Sequence, residues 1–297
     1  MKQVTAIITT HNRLDLLKRA IESVYVQTYK EMELIVVDDA STDGTQAYCE
    51  SLPLRYIHIP KRESKGGNYA RNLGIKSAKG EYVAFLDDDD YWLPTKIEKQ
   101  VALIESKDCE LVHCGRWLEI VGKEGEVTFK DRMPSPFHYG DMHKKILLTV
   151  CTTVTTNILA NRQALIDVGM FDENLRFWQD YELTIRMAQR KPFYFVYEPL
   201  SVYRVDTRDK HRLTNKYEEW KEAVRYIHRK HAALYAKLNM IERIRVRLLV
   251  MGDAVGRCKS SGLKRKATQL YIAWLILSLP FRISRKIRKY IKRKYDG

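Results

Sequence analysis

Four consecutive carboxylates, Asp87-Asp88-Asp89-Asp90, end an apolar run that begins at Val83, and Tyr91-Trp92-Leu93-Pro94 follows them. Adjacent like charges repel, and a hard divalent cation placed among them lowers that cost. The stretch therefore reads as a buried strand that delivers acids to a metal and phosphate site. A solvated acidic turn before a helix started by Pro94 is the plainer reading of the same residues. Two further apolar runs end in polar groups. Val4–Ile8 leads into Thr9-Thr10-His11, and Leu34–Val37 leads into Asp38-Asp39. A second set of acids lies at Trp178-Gln179-Asp180-Tyr181-Glu182. A carboxylate at the start of a helix can act as a general base.

The elements around these residues predict how they are positioned. Strands are expected at 3–10, 33–39, 54–59 and 82–87, with helical spacing after the first (Leu14, Leu17, Ala20, Ile21, Val24) and the third (Ala70, Leu73, Ile75, Ala78). Gly66-Gly67 opens that third-strand helix, a phosphate loop being the alternative, and Gly80 is expected to close it. Strands that alternate with helices predict a mainly parallel sheet with helices on both faces. Parallel strands share a direction, so Thr9-Thr10-His11, Asp38-Asp39 and Asp87–Asp90 should meet on one edge. That edge would suit a nucleoside diphosphate, with base and ribose at the first two tips and diphosphate at the third. No Gly-x-x-x-x-Gly-Lys-Ser/Thr or Gly-x-Gly-x-x-Gly loop is present, so a cation has to neutralise the phosphates.

Further along, an amphipathic helix is expected over 94–107, a hairpin over 110–129 turning at Gly122–Gly125, and an irregular, mobile loop over 130–142. A β-branched strand is expected over 152–159, a short helix over 161–168, a helix over 181–190 and a strand over 193–197. Asp180 could also serve as a helix cap, and Trp178 either stacks on a bound acceptor or fills the core. His228-x-x-His231 reads as surface.

The motifs Thr-Thr-His-Asn-Arg (9–13), Gln27-Thr28-Tyr29, Val-Val-Asp-Asp-Ala-Ser-Thr-Asp-Gly-Thr (36–45), Gly67-Asn68-Tyr69-Ala70-Arg71-Asn72-x-Gly74 and Phe-Leu-Asp-Asp-Asp-Asp-Tyr-Trp-x-Pro (85–94) resemble the family 2 glycosyltransferases. The resemblance is dense over about residues 3–105 and looser over 150–205. It implies the α/β GT-A fold, a Rossmann-like nucleotide-sugar domain, and a divalent cation (Mn2+ or Mg2+) as cofactor. It implies Thr9 and His11 at the nucleotide base, Asp39 and Arg71 at the nucleoside, and Asp87-x-Asp89 as the metal-binding motif. Within that motif Asp88 faces the ribose or metal and Asp89 is the direct ligand. His211 stands where some relatives place a late His near metal or diphosphate. Asp180 is implied as the general base of an inverting transfer from a nucleotide-sugar, UDP preferred, to a glycan or lipid-linked glycan hydroxyl. The sequence departs from the family's usual residues at His11 (Tyr), Ala40 (Gly), Asp88 (Ser) and Gln179 (Glu).

The charge is divided unevenly along the chain. Residues 1–209 hold 28 Lys and Arg against 31 Asp and Glu; residues 210–297 hold 24 against 6. This predicts a catalytic domain over 1–209, with a nucleotide-sugar half (1–107) and an acceptor half (108–209), and a basic helical extension over 210–297. The apolar run Tyr271–Leu279 is too short to span a bilayer. With Arg282, Arg285, Lys286, Arg288, Lys289, Lys292, Arg293 and Lys294 after it, it predicts in-plane binding to an anionic membrane surface. Packing of that run into the protein core is the alternative. No secretory signal is recognisable, and the five scattered cysteines read as free thiols in a reducing compartment. The expected location is therefore the cytoplasmic face of the membrane, with no nucleic-acid partner. A nucleotidyltransferase of related fold, or a nucleic-acid-binding protein using the basic tail, are the competing readings. The first would release pyrophosphate, and the second would bind oligonucleotides in preference to lipid.

Overall fold

The computed structural model describes residues 2–151, 154–209 and 216–295, with side chains up to 281. The chain divides into two compact units, one of Met1–Ile146 with Val150–Asp209 and one of Leu147–Thr149 with Lys210–Gly297.

The first unit is built on β1 (Val4–Thr10), β2 (Met32–Asp39), β3 (Arg55–Ile59) and β4 (Tyr82–Asp87). They lie side by side in the order β3-β2-β1-β4, all parallel. Near-continuous burial along β1, β2 and β4 follows from their unbroken apolar runs, as both faces of the sheet are covered. On one face α1 (Leu14–Tyr25) sets Leu17, Ala20, Ile21 and Val24 against Ala6 and Ile8, joined by Ile97, Val101 and Ile104 of α4 (Lys96–Glu105). Each buried Leu, Ile or Val among them contributes about 1.5–3 kcal/mol by leaving water. On the other face α3 (Gly67–Ser77) approaches β1 so closely that a Cβ on Gly74 would lie 2.6 Å from Ile7 Cγ2. The second helix, α2 (Thr45–Glu50), is short. Gly80 does not cap α3, which ends at Ala78. It instead lets the chain pass β1, where a Cβ would meet the Thr5 nitrogen at 2.6 Å.

Beyond β4 the sheet becomes mixed. The short β5 (Tyr91–Trp92), β6 (Leu111–Val121), β7 (Val127–Arg132), β8 (Leu159–Asn161) and β9 (Phe193–Asp206) complete nine strands among the described residues. The hairpin falls where expected, with β6 antiparallel to β7. Gly140, in the segment expected to be irregular, bridges Phe193. The strand expected over 193–197 continues to Asp206 as one long strand, β9, parallel to β6 with a register shift at Gly115 opposite Pro199. The expected strand over 152–159 is not one in its described part. Thr155–Asn157 is a 3-10 turn and the strand begins at Leu159. Thr156 and Asn157 are buried, and their side chains serve Asp90 and Ser201 instead of a ladder. The short helix α5 (Arg162–Asp167) is capped by the Asn161 side chain, and α6 spans Gln179–Met187.

The second unit contains α7 (Tyr217–Lys230), α8 (Ala232–Ala236), α9 (Met240–Ser260) and α10 (Lys264–Tyr295). Asn239 and Glu242 form a reciprocal capping box at the start of α9. His231 is buried at 8% exposure, not a surface residue as its basic surroundings suggested. The run Tyr271–Leu279 is divided between both expected roles. Trp274 donates from Nε1 to the Leu248 carbonyl of α9 and Ser278 is buried, while Ile272, Ile276 and Leu279 are exposed along one side of α10. Among the described residues no helix is long and apolar enough to cross a membrane.

Candidate active site

Strand register brings the three polar tips level. Thr9 lies opposite Val37 of β2 and Asp87 of β4, and Thr10 lies opposite Asp38. The loops after β1 and β2 are laced together. His11 Nδ1–H donates to the Asp39 carbonyl (2.6 Å), Asn12 N–H to Ser41 Oγ (2.8 Å), Thr42 N–H to Asn12 Oδ1 (2.7 Å) and Leu14 N–H to Asp43 (2.9 Å). Asn12 and Ala40 pay for this with left-handed backbone, at φ 51° and 65°. That conformation explains why the resembling family usually carries Gly at position 40.

The adjacent carboxylates of Asp38 and Asp39 differ in their partners. Asp38 is fully buried and accepts from Ser41 N–H and the Tyr56 hydroxyl, so it holds the loop. Asp39 Oδ1 is buried with no hydrogen-bond partner among the described residues. A buried acceptor left unpaired calls for an explanation, and a ligand donor supplies one. It lies beside the exposed His11 ring, in the place expected for base and ribose.

The four acids after β4 are also distinct. Asp87 pairs with Arg71 (2.5 Å), whose guanidinium is 9% exposed and packs near the Phe171 ring. Arg71 is thus not a solvated helix charge. Asp88 accepts from Thr10 Oγ1 (2.8 Å) and from Arg13 Nη1 (3.1 Å), and burial pushes its carboxyl up to about 6 against the pull of Arg13. Asp90 is fully buried, takes bonds from Thr156 Oγ1 and Arg204 N–H, and is held well above the usual carboxylate range by burial and by Asp89 and Asp87. Asp89 is the most open, with its side chain 32% exposed; one oxygen accepts from Arg13 Nη1 (3.1 Å).

A divalent cation fits this donor set. Among the described residues no three His, Cys, Asp or Glu side chains form a closed cage. Mg2+ and similar ions on phosphate substrates do not use one. They take one or two carboxylates and complete their shell with phosphate oxygens and water. Asp89 and the partly exposed Asp87 offer hard oxygens of that kind. His211 lies outside the described residues.

Asp180 sits in the first turn of α6 and is 8% exposed. It is not the helix cap. Trp178 occupies that position in a left-handed conformation (φ 54°), 9% exposed, with its ring 5.1 Å from that of Tyr181. Glu182 is fully buried and committed to Arg186 (2.6 Å), which ties α6 to the carbonyls of Val168 and Met170. Of the two acids in this turn, Glu182 is therefore structural. Arg116 of β6 feels the charge of both acid clusters. Burial lowers its pKa, and Tyr203, Asp90 and Asp180 oppose that effect. Sequence reading gave no role to Arg116, to Arg13, or to Glu119, which Arg19 (3.0 Å) and Arg204 (3.1 Å) both hold. For Arg13, its place just before a helix that follows a polar strand tip is the signal that could have marked it.

Residues 5–169, more than half of the chain, match the model of glycosyl transferase family 2. The chain is a member of glycosyl transferase family 2. It is a glycosyltransferase, and the family's donors are nucleotide-sugars. An uncharacterized glycosyltransferase of Rickettsia typhi is 30% identical over 226 residues, which is 73% of this chain and 69% of that one. The Escherichia coli UDP-Glc:alpha-D-GlcNAc-diphosphoundecaprenol beta-1,3-glucosyltransferase WfaP is 37% identical over 57% of this chain and 64% of its own. The aligned segment spans only 33% of a Rickettsia felis glycosyltransferase. Among solved structures, a mannosyltransferase from Pyrobaculum calidifontis in complex with GDP-Man and Mn2+ has a TM-score of 0.55 at 19% identity, covering 100% of this chain and 88% of its own. S. aureus TarS 1-349 in complex with UDP has a TM-score of 0.53 at 18% identity, covering 95% and 92%. These two share the fold.

Proposed function

We propose that this glycosyltransferase moves a sugar, with inversion, from a UDP-sugar to a hydroxyl of a lipid-linked glycan at the inner membrane face, in the presence of Mn2+ or Mg2+. The observation that carries this reading is the ledge itself: Thr9, His11, Asp39, Arg71, Asp87, Asp88 and Asp89 meet where three parallel strands end. His11 offers a ring face to the base, and the unpaired Asp39 Oδ1 accepts a donor of the base or ribose. Arg71 keeps Asp87 oriented. Asp89 and Asp87 would hold the cation, which when bound would neutralise the diphosphate and ease its departure.

Asp180 takes the proton of the acceptor hydroxyl. The hydroxyl oxygen bonds to the anomeric carbon from the face opposite the diphosphate. The bond from that carbon to the diphosphate oxygen breaks, and UDP leaves with the electron pair. WfaP is named for a UDP-glucose donor and a diphosphoundecaprenol-linked acceptor, which supports a lipid-linked acceptor here. The exposed Ile272, Ile276 and Leu279, on a unit rich in Lys and Arg, support contact with an anionic membrane surface.

Transfer and donor binding separate the roles. Asp180→Asn is expected to keep UDP-sugar affinity within about threefold while transfer falls at least about a hundredfold, the scale of general-base loss. Unchanged transfer by Asp180→Asn, measured as UDP release in the presence of a diphosphoundecaprenol-linked sugar, would remove Asp180 from the chemistry.

A further inference from the structure

The Arg13 guanidinium lies between the two carboxylates that the donor reading assigns to ribose and metal. Its Nη1 is 3.1 Å from Asp88 Oδ1 and 3.1 Å from Asp89 Oδ2. Asp209 attracts it as well. The Asp88 side chain is 7% exposed and Asp89 32%, whereas Arg13 is 43% exposed. Arg13 is therefore the most exposed member of the group, and Asp88 is buried behind it, held by Thr10. Arg13 stands at the start of α1 without capping that helix through its side chain, so the helix does not depend on the guanidinium.

We propose that Arg13 is a resident counter-cation, which shields Asp88 and Asp89 from a free divalent ion and yields only when a diphosphate arrives to receive it. This rests on the UDP-sugar and metal reading given above. A divalent ion and a guanidinium compete for the same Asp89 oxygen, and two cations a few ångströms apart repel. An ion arriving alone must displace Arg13 into water. A diphosphate changes that balance, because its oxygens accept a guanidinium through paired, charge-assisted bonds. Nucleotide then strengthens metal binding and, by reciprocity, metal strengthens nucleotide binding. Arg13 acts here through other groups and is a positioning residue.

Mn2+ binding, read by electron paramagnetic resonance on the full chain with and without UDP, tests this without any turnover. Wild-type protein should bind Mn2+ weakly alone and about tenfold or more tightly with UDP, a shift of about 1.4 kcal/mol or more. Arg13→Gln, with Arg13→Ala as a second neutral variant, should bind Mn2+ alone at least about tenfold more tightly than wild type, and UDP should add less. Arg13→Lys keeps the charge and should stay near the wild-type value. A merely structural role would weaken metal binding in all three. Neutral variants that fold, by their thermal transitions, and bind Mn2+ alone no more tightly than wild type overturn the proposal. Wild-type protein that takes up no Mn2+ even with UDP overturns the donor reading itself, and this one with it.

Discussion

At the scale of single residues, neighbours of one chemical type have separate tasks. Asp38 braces a loop while Asp39 keeps a buried oxygen unpaired, and Glu182 is spent on Arg186 while Asp180 is not the helix cap. Arg71 shows how much geometry matters. It reaches Asp87 at 2.5 Å and Asn68 Oδ1 at 3.3 Å through a planar fork that Lys cannot reproduce. Arg71→Lys is expected to weaken UDP binding by about tenfold, the scale of one charge-assisted bond, with little change in thermal stability. Isothermal calorimetry checks this, and wild-type affinity would mean that Arg71 only braces the fold. Residue types and motif order made the ledge legible in the sequence. The partner Arg13 was not legible, because it comes from the loop before α1 and only folding brings it to the acids; Arg19 of α1 and Glu119 of β6 likewise meet only in the fold.

At the scale of elements, the alternating strand and helix pattern placed β1 to β4 closely, since β1, β2 and β4 each have an apolar run ending in polar tips. The failures came where tertiary demands outweighed local preference. The β-branched Thr155–Asn157 segment became a turn because Asp90, Ser201 and Gln100 need its polar groups. On β6, His113 is buried among Phe195 and His138, and its pKa falls to about 3 through burial and the neighbouring His138. Its folded value lies below the unfolded value of 6.5. The unfolded chain therefore binds the extra proton between these limits, and the stability due to neutral His113 is complete above pH ~6.5 and declines as pH falls toward ~3. Each pH unit in that window costs up to about 1.4 kcal/mol. His113→Leu should flatten the acid limb of a thermal-unfolding profile; a slope identical to wild type would place the acid sensitivity elsewhere.

At the scale of the whole molecule, a nearly neutral unit that carries the family match is followed by a strongly basic one, with 24 Lys and Arg against 6 Asp and Glu after residue 209. The charge contrast was legible by counting. The division of Tyr271–Leu279 into a packed side and an exposed side was not, because the helical pattern alone does not say which side α9 covers. Flotation with phosphatidylglycerol vesicles should carry the full chain at low salt. It should weaken as salt rises, since each near-surface Lys or Arg contributes about 1 kcal/mol that ions screen. Ile276→Glu should reduce it further. Preference for an oligonucleotide over vesicles at matched salt would favour a nucleic-acid role for this unit.

The central claim is that parallel strand tips form one ledge where a cation and a nucleotide diphosphate bind together. Titration of UDP into wild-type protein and Asp89→Ala, each with Mn2+ and with chelator, tests it most directly. The expected result is binding to wild type that strengthens about tenfold or more with Mn2+, and binding to Asp89→Ala that ignores the metal. Equal Mn2+ enhancement in the two proteins would contradict it.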